Sequence, residues 1–85
     1  MSESTTPQSG NVPVELDVRV IPPRDKHPTI LRTFDSLAKG QSMILINDHD
    51  PRPLRYQLDA EHPGTFEWTY KAQGPEIWRV QIDRK

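Results

Sequence analysis

The sequence predicts a two-layer α/β sandwich, in which two helices lie on one face of a mixed four-stranded sheet in the order β-α-β-α-β-β. Three patterns predict it. Val14, Leu16, Val18 and Val20 alternate with Glu15, Asp17 and Arg19, the period of a strand with one face on a core. Two later stretches carry apolar residues at the three-to-four spacing of a helical face, each opening near a proline. The last third of the chain holds two aromatic-rich runs joined by Gln73-Gly74-Pro75, a hairpin signature.

The tail from residue 1 to residue 12 is Ser, Thr, Gln, Gly and Pro with almost nothing to bury, and is expected to be disordered. A single domain occupies residues 13–85. The first strand stops at Pro22-Pro23, and Pro28 is expected to open the first helix, with Ile30, Leu31, Phe34, Leu37 and Ala38 inward and Gly40 as its stop. Met43-Ile44-Leu45-Ile46 is apolar on both parities, as an inner strand should be, and runs into the turn Asn47-Asp48-His49-Asp50-Pro51. A second helix is expected from about Pro53 to His62-Pro63-Gly64, with Leu54 and Leu58 inward. Phe66, Trp68 and Tyr70 then share one strand face, and Trp78, Val80 and Ile82 another. Two helices cannot cover both faces of four strands, so one sheet face stays at least partly open.

Eighty-five residues make one thin-cored domain, burying about 60% of the surface of the unfolded chain, with little room for a deep site. A net charge of -1 lacks the positive excess that phosphate backbones demand, which disfavours nucleic acid as a partner. Cysteine is absent, which excludes disulfides, thiolate chemistry, persulfide carriage and cysteine-bound zinc. No run approaches the roughly 18 apolar residues of a membrane span, and no leader precedes the domain, so a cytoplasmic location is expected.

The strings Leu16-Asp17-Val18-Arg19, His27-Pro28, Leu37-Ala38-Lys39-Gly40 and Asn47-Asp48-His49-Asp50-Pro51 together resemble the bacterial domain-of-unknown-function family 2249. The resemblance spans about Glu15 to Lys85 and takes in Pro63-Gly64-x-Phe66-x-Trp68 and Gly74-Pro75-Glu76-x-Trp78-Arg79-Val80. More distantly the chain is similar to the TusA/SirA-like sulfur carriers, which imply the same two-layer plan. In those carriers a cysteine precedes the helix-opening proline; His27 stands there in this chain, after a longer loop, so a sulfur-relay role is not implied. The nearer family implies a fold and a bacterial origin, with no established activity.

Four groups of residues have ligand character. Arg24-Asp25-Lys26-His27, ahead of Pro28, would place donors beside free helix N–H groups, a geometry that binds anions, unless Asp25 merely caps the helix and the rest are solvated. Asn47, Asp48, His49 and Asp50 fall at the end of an inner strand, where open α/β sheets commonly bind ligands, although such residues before proline are also ordinary turn chemistry. If the first two strands run parallel, His27 can meet His49 and Asp48 at one edge and the three could hold a divalent metal. Asp17 and Arg19 lie two apart on one strand face, suited to a partner or to a cross-strand ion pair. Tyr56, Phe66, Trp68, Tyr70 and Trp78, with Arg55 and Arg79, either fill the core or form an aromatic patch for a protein partner.

These features point to a non-enzymatic binding or accessory module. It would hold a small anionic ligand, a metal centre or another protein at the edge formed by the pre-helix loop and the Asn47–Pro51 turn. The alternative is a small metal-dependent enzyme or metal-binding protein using His27, His49 and Asp48.

Overall fold

A computed structural model describes residues 12–85; the predicted tail, apart from Val12, lies outside the described residues. Strand β1 spans Val14–Asp17, helix α1 Pro23–Ser36, β2 Ser42–Asn47, helix α2 Arg52–Glu61, β3 Phe66–Gln73 and β4 Trp78–Arg84. The sheet order is β1-β2-β4-β3, with β1 and β2 parallel and the other two pairings antiparallel. The chain is therefore the α+β arrangement its patterning predicts.

Strand β1 is shorter than the alternation suggests. After Asp17 the chain enters a 3-10 helical turn over Val18–Val20, because the Asp17 carboxylate accepts a hydrogen bond from the Arg19 backbone N–H and caps that turn. Local capping by an aspartate overrides the period of two. Val18 stays in the core, while Val20 turns out and is 81% exposed.

Helix α1 begins at Pro23, five residues earlier than expected, and Pro28 lies inside it. Proline is well suited to a first helical position because it has no N–H to leave unpaired; at Pro28 the missing N–H removes a bond from the ladder instead. Arg24, Asp25, Lys26 and His27 are thus helical residues and not a pre-helix loop. At its other end α1 stops at Ser36, ahead of Gly40, and Ala38 is exposed instead of inward. Gly40, at φ +86°, turns the chain into β2, and its N–H donates to the Arg84 carbonyl at 2.7 Å.

Both helices pack on the sheet face that carries Leu16, Met43, Leu45, Val80 and Ile82: Ile30, Phe34 and Leu37 come from α1, and Leu54 and Leu58 from α2. Phe34 is at the middle of this layer. It is fully buried, edge-on to Phe66 at 6.1 Å between centroids, and under the Arg84 guanidinium at 5.0 Å. The same arginine donates to the Phe34 carbonyl at 2.9 Å, tying the end of α1 to β4.

Among the described residues no helix covers the opposite sheet face, yet Ile44 and Ile46 of β2 are each only 8% exposed. Glu15 and Arg79, on the strands flanking β2, meet across it at 3.6 Å. Their aliphatic stems roof the two isoleucines while the charged heads stay wet. Beside them Ser42 and Gln81 both donate to Asp83, the latter at 2.7 Å. At the β3–β4 turn Gly74 has φ +69°, and a side chain there would strike the Trp78 indole, 2.9 Å from the position of a Cβ. Only glycine suits a residue that is both left-handed and so closely approached.

Phe34→Ala should cost about 3–5 kcal/mol, most of the stability of a domain this small. Urea denaturation measures it, and a midpoint equal to that of the wild type would show that Phe34 is not the contact between helix and sheet.

Candidate functional site

Strands β1 and β2 run parallel, so they finish at the same end of the sheet, where Asp17 is level with Ile46, one residue short of Asn47. The turns that follow the two strands are therefore neighbours. Helices α1 and α2 also start from this end.

Asp17 and Arg19 do not form the cross-strand pair that a continuous strand would give. They clasp each other within the 3-10 turn: Arg19 Nε donates to Asp17 Oδ1 at 2.9 Å and Nη2 to Oδ2 at 2.7 Å. This two-point hydrogen bond holds the Asp17 carboxyl below the ordinary 3.8, at about 2. In return the Asp17 carboxylate, and to a lesser degree that of Asp48, favours the charged form of Arg19.

In the second turn Asn47 is buried and its Oδ1 accepts from the Asp48 N–H at 2.9 Å, fixing the backbone as it leaves β2. Asp48 Oδ1 lies 2.7 Å from His49 Nδ1, and both side chains are exposed. The His49 hydrogen bond lowers the pKa of Asp48, and the positive charge of Lys26 on α1 adds to the effect. The end of the sheet thus carries charges of both signs from three segments, Asp17 with Arg19, Lys26, and Asp48, the last hydrogen-bonded to His49.

The other predicted site residues are employed elsewhere. Asp50 turns back to the sheet, accepting from the Tyr70 hydroxyl at 2.8 Å and facing Arg52 at 3.4 Å, and so pins the turn to β3. Arg24 is exposed in the first turn of α1. His27 Nδ1 is 2.9 Å from Gln57 Oε1 on α2, and Gln57 Nε2 donates onward to Glu61 at 3.0 Å. His27 bridges the helices because α1 starts at Pro23, which rotates position 27 toward α2. The metal trio His27, His49 and Asp48 is accordingly not assembled. Among the described residues no three His, Asp or Glu side chains are gathered as a metal ion requires.

Lys26, which the sequence places among the donors ahead of Pro28, belongs instead to the cluster at the end of the sheet, where its charge acts on Asp48. The double proline at 22–23 is the available signal, since a helix starting there places Lys26 one turn in, near enough to Asp48 for its charge to be felt there. His62, predicted only as part of the stop of α2, sits against the Phe34 ring at 5.3 Å and 3.1 Å from Asp35, closing α2 onto α1.

Of the aromatic residues, Phe66, Trp68 and Tyr70 pack against the core, whereas Tyr56 is exposed. Trp68, Tyr70 and Trp78 form an edge-to-face row with centroids 6.1–6.2 Å apart, and the Arg55 guanidinium lies 6.0 Å from the Trp68 ring. The Trp68 indole N–H is buried without a partner among the described residues. No pocket opens among the described residues, so the charged end is a surface and not a cleft. No helix of the described residues is long and apolar enough to cross a membrane.

Residues 15–84 match the model of one protein family, DUF2249, described as an uncharacterized conserved protein. No curated protein and no solved structure matches the chain.

A carboxyl whose pKa is depressed on folding stabilises the protein above its unfolded value and loses that contribution as the pH falls through its folded value. The Asp17–Arg19 clasp should therefore support the fold above about pH 3.8 and weaken as the pH drops toward about 2. In an NMR titration Arg19→Ala should move the Asp17 midpoint up toward 3.8; an unmoved midpoint would show that the clasp does not form.

Proposed function

The chain belongs to the DUF2249 family, and we propose that it is a non-enzymatic binding module that docks a partner protein through the charged end where β1 and β2 finish. The observation that carries this reading is the juxtaposition of Asp17, Arg19, Lys26, Asp48 and His49, from three segments, on an open surface. A surface that carries both signs of charge suits a partner that presents the complementary pattern. Such arrays act mainly on specificity and on the rate of encounter.

A small anion is served less well. The Arg19 fork is already occupied by Asp17, and the negative charge of Asp48 near Lys26 opposes an incoming anion. Metal-dependent chemistry through His27, His49 and Asp48 lacks a common point of attachment, since His27 is engaged by Gln57. The likeness to TusA-like sulfur carriers is carried by motif positions alone. His27, which occupies the place of their cysteine, stands one turn inside α1, beyond the free N–H groups that favour a thiolate at a helix start.

The test compares proteins cross-linked to the wild type in an extract of the source cells with those cross-linked to three charge reversals. Arg19→Glu and Lys26→Glu alter the proposed end, and Lys39→Glu alters the far end as a control. The expected outcome is a partner lost from the first two variants, retained by the third, and bound less well as salt is raised. A partner captured equally by all three would refute the assignment of the surface.

A further inference from the structure

Strand β3 is eight residues long and lies at the outer edge of the sheet, paired on one side only, with β4. In an antiparallel pair, successive residues direct their N–H and C=O groups alternately toward the partner and away from it. The Lys85 N–H donates to the Thr65 carbonyl at 2.9 Å, and the register pairs Glu67 with Asp83 and Thr69 with Gln81. Residues 65, 67 and 69 therefore bond to β4. The main-chain groups of Phe66, Trp68 and Tyr70 face outward, with no strand among the described residues to receive them.

A long unpaired edge is a template for another strand, and proteins commonly blunt it with lysine or with a bulge. Both devices are present: Lys71 is exposed, and the register shifts between Tyr70 and Ala72. Lysine is a deterrent only when the incoming strand offers no acid opposite it. Here the exposed residues of β3 on the helix-free face include Glu67, Thr69 and Lys71, an acid and a base placed symmetrically about a threonine.

We propose that β3 pairs antiparallel with β3 of a second copy of this chain, on a two-fold axis through Thr69, giving a homodimer with a continuous eight-stranded sheet. In that register Glu67 of each copy lies opposite Lys71 of the other, giving two complementary charge pairs. Trp68 lies opposite Tyr70 on the helix-bearing face, and these are the residues whose main-chain groups point outward, so both members of each pair can exchange hydrogen bonds. Opposed charges and opposed aromatic residues are both stabilising cross-strand pairs. Alternatives are disfavoured: an axis through Glu67 or Lys71 sets like charges against each other, and an axis through Trp68 or Tyr70 leaves both charges facing uncharged residues. Because the strands run antiparallel, the charged ends of the two copies point in opposite directions and stay free.

Sedimentation of the full chain over a wide concentration range should show a species of twice the chain mass. Glu67→Lys and Lys71→Glu should each return the protein to monomer, since each puts like charges at both pair positions. The double exchange, Glu67→Lys with Lys71→Glu, should restore the dimer. Hydrogen exchange supplies the second reading: the amides of Trp68 and Tyr70 should be protected at dimer-forming concentrations and lose that protection in the single variants. A wild type that stays monomeric throughout overturns the proposal. So does a dimer that survives both single charge reversals, or one in which those two amides exchange freely.

Discussion

Pairing β1 in parallel with β2, Val14 against Met43 and Leu16 against Leu45, sets the position of nearly every residue of interest. A parallel pair needs a crossover, which α1 supplies, and a right-handed crossover lays that helix on one chosen face. The same pairing makes both strands finish at one end. The Asp17–Arg19 clasp, the Asn47–Asp50 turn and the first turns of both helices are neighbours for that reason alone. In an antiparallel arrangement of β1 and β2 the two turns would sit at opposite ends of the sheet, and Lys26 would have no carboxylate to influence.

One-sided coverage is the second consequence. The helix-bearing face is sealed by large apolar side chains centred on Phe34, and its aromatic neighbours are consumed in that task. The other face has to protect Ile44 and Ile46 by different means, and does so with the span from Glu15 to Arg79 and the hydrogen bonds converging on Asp83. Such exposed polar pairs contribute little energy by themselves. Their stems matter more, because they exclude water from the central strand without a second layer of helices. With Glu15, Arg79 and Asp83 committed to this cover, the middle of the face is left less free to bind than the end of the sheet.

Much of the architecture was legible because it follows from periodicity. The inner strand was marked by Met43 to Ile46 being apolar on both parities, α2 by Leu54 and Leu58, and β3 by the alternation of Phe66, Trp68 and Tyr70. What was not legible came from local bonds that periodicity does not encode. Asp17 could continue a strand or cap a turn, and only its bond to the Arg19 N–H decides. Pro23 and Pro28 were both acceptable helix openers, and choosing the later one turned four helical residues into a loop. That single displacement also accounts for the misreading of the site. It sent His27 toward His49, whereas the earlier start turns His27 to Gln57 and brings Lys26 near enough to Asp48 for its charge to be felt there. By sequence Asp50 belongs to the candidate site, but its bond to the Tyr70 hydroxyl joins residues twenty positions apart, which no local pattern reveals.

The claim on which the site rests is that the start of α1 and the end of β2 share one surface, and the titration of Asp48 reports on it directly. Carboxyl-detected NMR on the wild type and on Lys26→Ala compares the Asp48 midpoint with and without the cation that α1 contributes. The expected result is a rise of the midpoint toward the ordinary carboxylate value in the variant, short of complete because the His49 hydrogen bond remains. An Asp48 midpoint indifferent to the loss of Lys26 would place the first turn of α1 away from β2 and contradict the shared charged end.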